Sequence, residues 1–403
     1  MLLRADAVRQ GAQRMLMLAV DARLDDWTVD LDRMAPTAEF VAGVVRERYP
    51  RLDVPVHSRW RHFVFGGQDL WEGIVAKANW TNADAAARSA FDLVITSVLL
   101  DAGAGAAWHY QDRATRVDAA RSEGLALASL RWFEGGGLAN DPGGQPFRAD
   151  AAVLRRIDGA SLQNAFQVDE TNPLLGLEGR AALLNRLGET LESRPDLFAR
   201  SDSPRPGGLF DALRVRASQG QLPAAVILQT LLEALGPIWL ARPSLGGVPL
   251  GDCWPHPALT GSNPADGYAP LHKLSQWLSY SLIEPLQKAG ITVSNVHELT
   301  GLAEYRNGGL FVDMGVLVPR DPASLSKTYT VKDPFVVGWR ALTVALLDRL
   351  APLVAARLGR TPESLPLASI LEGGTWAAGR LIARKARADG GPPFHVLSDG
   401  TVF

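Results

Sequence analysis

Apolar residues recur at helical spacing along most of this chain, and that periodicity limits the folds open to it. Residues 4–22 put Val8, Ala12, Met15, Leu16 and Val20 on one stripe. Residues 36–49 follow the cap-like Pro36-Thr37 with Phe40, Val41, Val44 and Val45, and 85–101 carry Phe91, Val94, Ile95, Val98 and Leu99. The same spacing predicts helices over 121–133, 150–157, 161–166, 176–188, 221–235, 271–288, 335–358 and 373–387. Strand signals are few. The best is Leu310–Leu317, expected to pair with Tyr329-Thr330-Val331, and a second is Phe394–Leu397 before a Ser398-Asp399-Gly400 turn. The expectation is a mostly α protein with a small β element in the C-terminal half.

Gly- and Pro-rich breaks at 135–147, 201–208, 242–270 and 388–393 read as loops rather than long linkers. One compact helical unit over 1–403 is the first choice. The alternative is two lobes, 1–200 and 209–403, with a ligand cleft between them.

Charge and composition narrow the partner. The 41 basic and 43 acidic residues leave a net charge of -2, without the basic excess of a nucleic-acid binder. A small molecule is the expected partner. Cys253 is the single cysteine, which fits a reducing compartment. Met1–Asp6 lacks the apolar core of a signal peptide, and the longest apolar runs are too short to span a bilayer. A cytoplasmic protein without membrane attachment is expected. There is no Walker-type loop, no His-x-x-x-His or Cys-x-x-Cys pair, and no Gly-x-Ser-x-Gly elbow. No metal or nucleotide cofactor is therefore expected.

Several segments mix residues that suit chemistry. On the 271–288 helix, Lys273, Gln276 and Tyr280 share a face by spacing, while Leu274, Trp277 and Leu278 can anchor it in the core. Lysine suits a phosphate, although spacing alone favours a solvated surface lysine. Glu304-Tyr305-Arg306-Asn307-Gly308-Gly309 reads as a charged turn. If it is extended, Glu304 and Arg306 share one side. A carboxylate there can stabilise an oxocarbenium-like transition state or activate water; a surface salt bridge with a hairpin turn has equal weight. Leu371–Arg380 reads as a loop entering a small-residue helix. Its N-terminus can meet an anion, or Glu372 can cap it. His57–Phe63 mixes cations and aromatics, which suit an anion and a planar group or an ordinary core loop. Glu123 sits well at the start of a helix.

The chain resembles, over nearly its whole length, a family of bacterial and fungal proteins linked to the reduction-independent pathway of uracil catabolism and long described as a domain of unknown function. The landmarks are Arg59–Phe63, Ser97–Gly105, Arg121–Leu125, Asn172–Arg180, His272–Trp277, Glu304–Gly309, Leu371–Trp376 and Ser398–Phe403. In that pathway uracil becomes a nucleotide whose ring is opened, leaving a urea on ribose phosphate. The resemblance implies a step that releases the urea.

A second resemblance is to the queuosine salvage proteins, which cleave a base from a 5′-phosphorylated nucleoside on a helical fold like that of DNA glycosylases. Their Lys-x-x-Gln helix and Asp-Tyr-Arg motif match Lys273, Gln276 and Glu304-Tyr305-Arg306, with Glu in place of Asp. The match implies a DNA-glycosylase-like architecture. It also implies that Lys273 holds the 5′-phosphate and that Glu304 is the catalytic carboxylate.

The expected activity is thus N-glycoside hydrolysis of a ureido-ribose 5-phosphate, with Glu304 and Arg306 catalytic. The expected ligand contacts are Lys273, Gln276, His272, Tyr305, Asn307, Arg59, His62, Glu123, Glu372 and Trp376. A leaving urea needs a proton, and Glu123, His272 and Glu372 are the candidate donors. The rivals are an amidohydrolase acting on the opened ring and a non-catalytic binding protein.

Overall fold

The computed structural model describes residues 1–105, 107–199, 203–239 and 242–397, and it is built mainly of helices. The terminal 398–403 landmark lies outside the described residues. The chain divides into two compact units. One comprises Met1–His57, Arg242–Gln276 and Val296–Leu397; the other comprises the described residues of 58–239 and 277–295. The Lys273–Lys288 helix begins in the first and continues in the second.

The expected helices are present, with ends displaced by a few residues. Ala5–Val20, Met34–Arg48, Ala83–Leu99, Arg121–Glu134, Leu177–Ser193, Ala224–Leu235 and Pro334–Arg357 are examples. The expected Leu310–Leu317 strand is not. Tyr305–Asp313 is a helix. Gly315 (φ 74°) ends it: the Gly315 N–H donates to the Val312 carbonyl at 3.0 Å, and the Val316 N–H donates to Phe311 at 2.8 Å. That is the left-handed glycine stop of a helix, which in sequence interrupts what reads as a strand. Leu317–Pro319 then pairs antiparallel with Trp27–Val29. Thr328–Tyr329 pairs instead with His395–Val396, in parallel. Among the described residues the strands form seven two-stranded ladders, two of them wholly in the N-terminal half, so the β structure is not confined to the C-terminal half. Gly208–Arg216, missed behind a Gly/Pro-rich break, is a helix because Leu209, Phe210 and Leu213 are buried.

The first unit is organised around Pro334–Arg357. Val336, Leu342, Val344, Leu346 and Leu350 are fully buried around its circumference, as in a helix enclosed on all sides. Ala5–Val20, Met34–Arg48 and Tyr305–Asp313 pack against it. It carries one buried cation, Arg340, which forms a bidentate pair with Asp252 (both N···O distances 2.7 Å) and donates through Nε to the Ala303 carbonyl at 3.1 Å. Asp252 also accepts from Trp254 Nε1 at 2.8 Å and from the Lys273 N–H at 3.0 Å, so it caps the Lys273–Lys288 helix. Burial acts to raise the Asp252 carboxyl. The charge and hydrogen bonds of Arg340, with the donors from Trp254 and Lys273, outweigh it and hold the group well below the usual carboxylate range.

In the second unit, Ala83–Leu99 is buried along most of its length and packs on Arg121–Glu134 and Gly208–Arg216. Among the described residues no helix is long and apolar enough to cross a membrane.

Arg340→Met should destabilise the protein by about 3 kcal/mol, because Asp252 is left with an uncompensated charge. The folded carboxyl titrates below its unfolded value of about 4. The pair's contribution is therefore complete above that pH and shrinks as pH falls beneath it. Denaturant unfolding of both proteins across pH should show the gap between them narrowing in acid.

Candidate active site

Two stretches of the first unit, together with the start of the Lys273–Lys288 helix, carry most of the residues singled out from the sequence. The first is the start of the Tyr305–Asp313 helix. Glu304 is not in an extended turn; it is the N-cap. Its carboxylate accepts the N–H groups of Arg306 at 2.9 Å and Asn307 at 2.6 Å. Glutamate reaches these donors by folding back, satisfying two of the free N–H groups at the helix start. Each oxygen keeps acceptor capacity. Arg306 lies with its guanidinium 4.2 Å from the Trp376 ring centre and 5.3 Å from that of Tyr305. The approach depends on Gly379, where a Cβ would stand 2.2 Å from the Arg306 carbonyl oxygen.

Two amides flank the same segment. Gln276 Oε1 accepts from the Thr300 N–H at 3.3 Å, and Asn307 Nδ2 donates to the Leu302 carbonyl at 3.2 Å. These contacts fix which way each amide points. Gln276 Nε2 and Asn307 Oδ1 then have no protein partner, although the residues are only 0% and 1% exposed. Buried polar atoms are nearly always bonded, to protein, water or ligand. Lys273 starts its helix one turn before Gln276, on the face anticipated from their spacing. His272, the residue before it, has a left-handed backbone (φ 46°) and is buried. Its Nε2 donates to the Leu2 carbonyl at 3.0 Å, and burial pushes its pKa down, so the neutral ring ties the N-terminal segment down.

The second stretch is Leu371–Thr375, where a loop was expected to lead into a helix. It is a π turn between Leu367–Ile370 and the Trp376–Ala386 helix. It packs where only glycines fit: Cβ atoms at Gly373 and Gly374 would each lie 2.7 Å from a valine methyl, of Val54 and Val41. Glu372 does not cap a helix here. Its Oε2 is 2.7 Å from His57 Nδ1, and its Oε1 is 3.4 Å from the Tyr49 hydroxyl. Arg48 donates to the Glu372 carbonyl at 2.7 Å. The His57 ring centre is 6.1 Å from that of Trp376. Trp376 thus touches both the Arg306 stretch and the His57–Glu372 pair. His57 as the partner of Glu372 escaped the sequence reading, where the only signal was the mixed cationic and aromatic run it begins.

Arg59, His62 and Glu123 lie in the other unit. Arg59 is fully buried. Its Nε donates to Ser97 Oγ at 2.7 Å, its Nη2 to the Ser97 carbonyl at 3.1 Å and its Nη1 to the Ser122 carbonyl at 3.2 Å, with Asp101 at 3.1 Å. Burial lowers its pKa, while Asp101 and then Glu123 oppose that shift. Ser122 Oγ donates to Asp101 at 2.8 Å, and His62 Nδ1 is 3.2 Å from the same hydroxyl. Arg180 donates to the carbonyls of Leu100, Ala102 and Gly103, holding the glycine-rich stop after the Ala83–Leu99 helix. Four sequence-distant landmarks therefore form one polar cluster. Among the described residues no group of three or more His, Cys, Asp or Glu is placed to hold a metal ion.

Over residues 1–403 the chain matches the family described as "Protein of unknown function (DUF1688)", and it belongs to that family. It is 39% identical over 410 residues to "Protein urg3" of Schizosaccharomyces pombe, covering 100% of this chain and 98% of the relative. It is 36% identical over 415 residues to "Uracil catabolism protein 4" of Lachancea kluyveri, covering 95% and 93%.

Gly379→Ala should drive the Trp376–Ala386 helix off the Arg306 carbonyl. Overpacking of this kind costs about 1–3 kcal/mol. Thermal unfolding should report the loss, and a change in tryptophan emission should report the altered Arg306–Trp376 stack.

Proposed function

We propose that this protein acts in uracil catabolism as an N-glycoside hydrolase, converting ureido-ribose 5-phosphate and water into urea and ribose 5-phosphate. The observation that carries the proposal is the Glu304 carboxylate, held at a helix N-terminus beside an arginine that lies over a half-buried tryptophan. A fixed carboxylate at the anomeric carbon stabilises the positive charge that develops there and orients the attacking water. Arg306 and Trp376 offer a cation and an aromatic face beside it.

The two unpartnered amide ends suit a ureide. A ureido group presents both a carbonyl acceptor and N–H donors, complementary to Gln276 Nε2 and Asn307 Oδ1. Lys273, one turn before Gln276, is assigned the 5′-phosphate. The resemblance of Lys273, Gln276 and Glu304-Tyr305-Arg306 to the queuosine salvage motifs supports these roles, and a DNA-glycosylase-like arrangement of the helices is part of the proposal. The name of the Lachancea kluyveri relative supports the pathway. Arg59 receives no ligand role, since its donors are engaged by Ser97, Ser122 and Asp101.

Purified protein given ureido-ribose 5-phosphate should release urea and ribose 5-phosphate, followed by mass spectrometry. Glu304→Gln, which still offers a cap oxygen, should lower kcat about 10²–10⁴-fold without loss of fold. Lys273→Ala should raise KM about tenfold or more, as expected for loss of a charged hydrogen bond. Unchanged turnover in Glu304→Gln would exclude the mechanism.

A further inference from the structure

We infer that His57, oriented by Glu372, is the group that protonates the leaving nitrogen; the inference rests on the glycosidase reading above. Urea leaves poorly as an anion, so cleavage of the C1–N bond calls for an acid at that nitrogen. The His57–Glu372 pair has the form of such an acid. The Glu372 carboxylate takes the Nδ1 proton of His57 in a 2.7 Å hydrogen bond. That bond sets the tautomer and makes Nε2 the nitrogen that carries the transferable proton.

The position of the pair is built by several independent contacts. The His57 N–H donates to the Ala368 carbonyl at 2.9 Å. Glu372 is presented by a π turn, a conformation that is rare in helices and concentrated at functional sites. Its second oxygen faces the Tyr49 hydroxyl at 3.4 Å and Arg48 at 3.9 Å. Gly373 and Gly374 let the turn pack closely on Val54 and Val41, and Arg48 donates to the Glu372 carbonyl at 2.7 Å. Trp376 links the pair to the Glu304 stretch: its ring centre is 6.1 Å from that of His57 and 4.2 Å from the Arg306 guanidinium.

The step balances as follows. The Nε2 proton of the His57 imidazolium passes to the ureido nitrogen as the C1–N bond breaks, and the bonding electron pair stays on nitrogen. Water adds to C1 and gives its proton to Glu304. Proton exchange with solvent returns Glu304 to the carboxylate and His57 to the imidazolium. The sum is ribosylurea phosphate plus water going to ribose phosphate plus urea.

The test compares two substrates, ureido-ribose 5-phosphate and 4-nitrophenyl riboside 5-phosphate. The nitrophenolate departs without a proton. His57→Asn keeps a donor where Nδ1 stood, so the contact with Glu372 and the fold are retained, but it has no Nε2. It should lower the ureide-to-nitrophenyl ratio of kcat/KM about 10²-fold or more. Glu372→Gln should lower the same ratio by a smaller factor, and it serves as the second variant if His57→Asn is poorly folded by circular dichroism. Glu304→Gln should slow both substrates and leave the ratio near that of the unmodified protein. Equal losses on both substrates in His57→Asn, or no loss on the ureide, would overturn the assignment to His57 while leaving the glycosidase reading in place. An unmodified protein that cleaves neither compound would overturn the glycosidase reading and this inference with it.

Discussion

The pair between Asp252 and Arg340 ties together parts of the first unit that are far apart in sequence. Through it, the central Pro334–Arg357 helix grips the loop that carries Asp252. Asp252 in turn caps the Lys273–Lys288 helix through the Lys273 N–H, and its own carbonyl accepts the N–H groups of Leu271 and His272. Arg340 reaches the Ala303 carbonyl, one residue before Glu304. One ion pair thus sets the starts of both stretches that bear the candidate lysine and carboxylate. Such a pair adds little net stability over apolar packing, because desolvation offsets most of its attraction. Its value is geometric, since few other arrangements of these segments would satisfy both charges.

The candidate site uses helix ends and irregular turns rather than helix middles. Glu304 spends its carboxylate on two N–H groups at a helix start, and Glu372 is turned toward His57 by a widened turn. Both devices remove freedom from an acidic side chain before any ligand arrives, which is the condition for electrostatic preorganisation. Glycine enters where backbones meet: Gly379 under Arg306, and Gly373 and Gly374 under the π turn. The second unit holds a comparable buried network, but its members satisfy one another. Arg59, Ser97, Ser122 and Asp101 form a bonded set that fixes the helix ends around them.

Much of the helical framework was legible because long amphipathic and buried helices repeat their apolar positions over several turns. Pro334–Arg357 and Ala83–Leu99 could hardly be read otherwise. Short segments were not legible in this way. Leu310–Leu317 contains too few residues to distinguish a strand from a helix by period, and Gly315 reads equally as an interruption of one or the end of the other. Of the candidate residues, Lys273 and Gln276 were placed on one helix face by spacing alone. Glu304 was singled out by type and motif, whereas its role as a helix cap depends on where the helix starts.

The sequence by itself determined a mostly helical chain and the residue types from which a site could be made, because periodicity and side-chain chemistry are local properties. Only the tertiary structure decided which of those residues meet. His57 and Glu372 are 315 residues apart, and no local pattern joins them. Their contact exists because Gly373 and Gly374 let a widened turn settle against the Met34–Arg48 helix and the segment after it, a packing that no single stretch of sequence encodes.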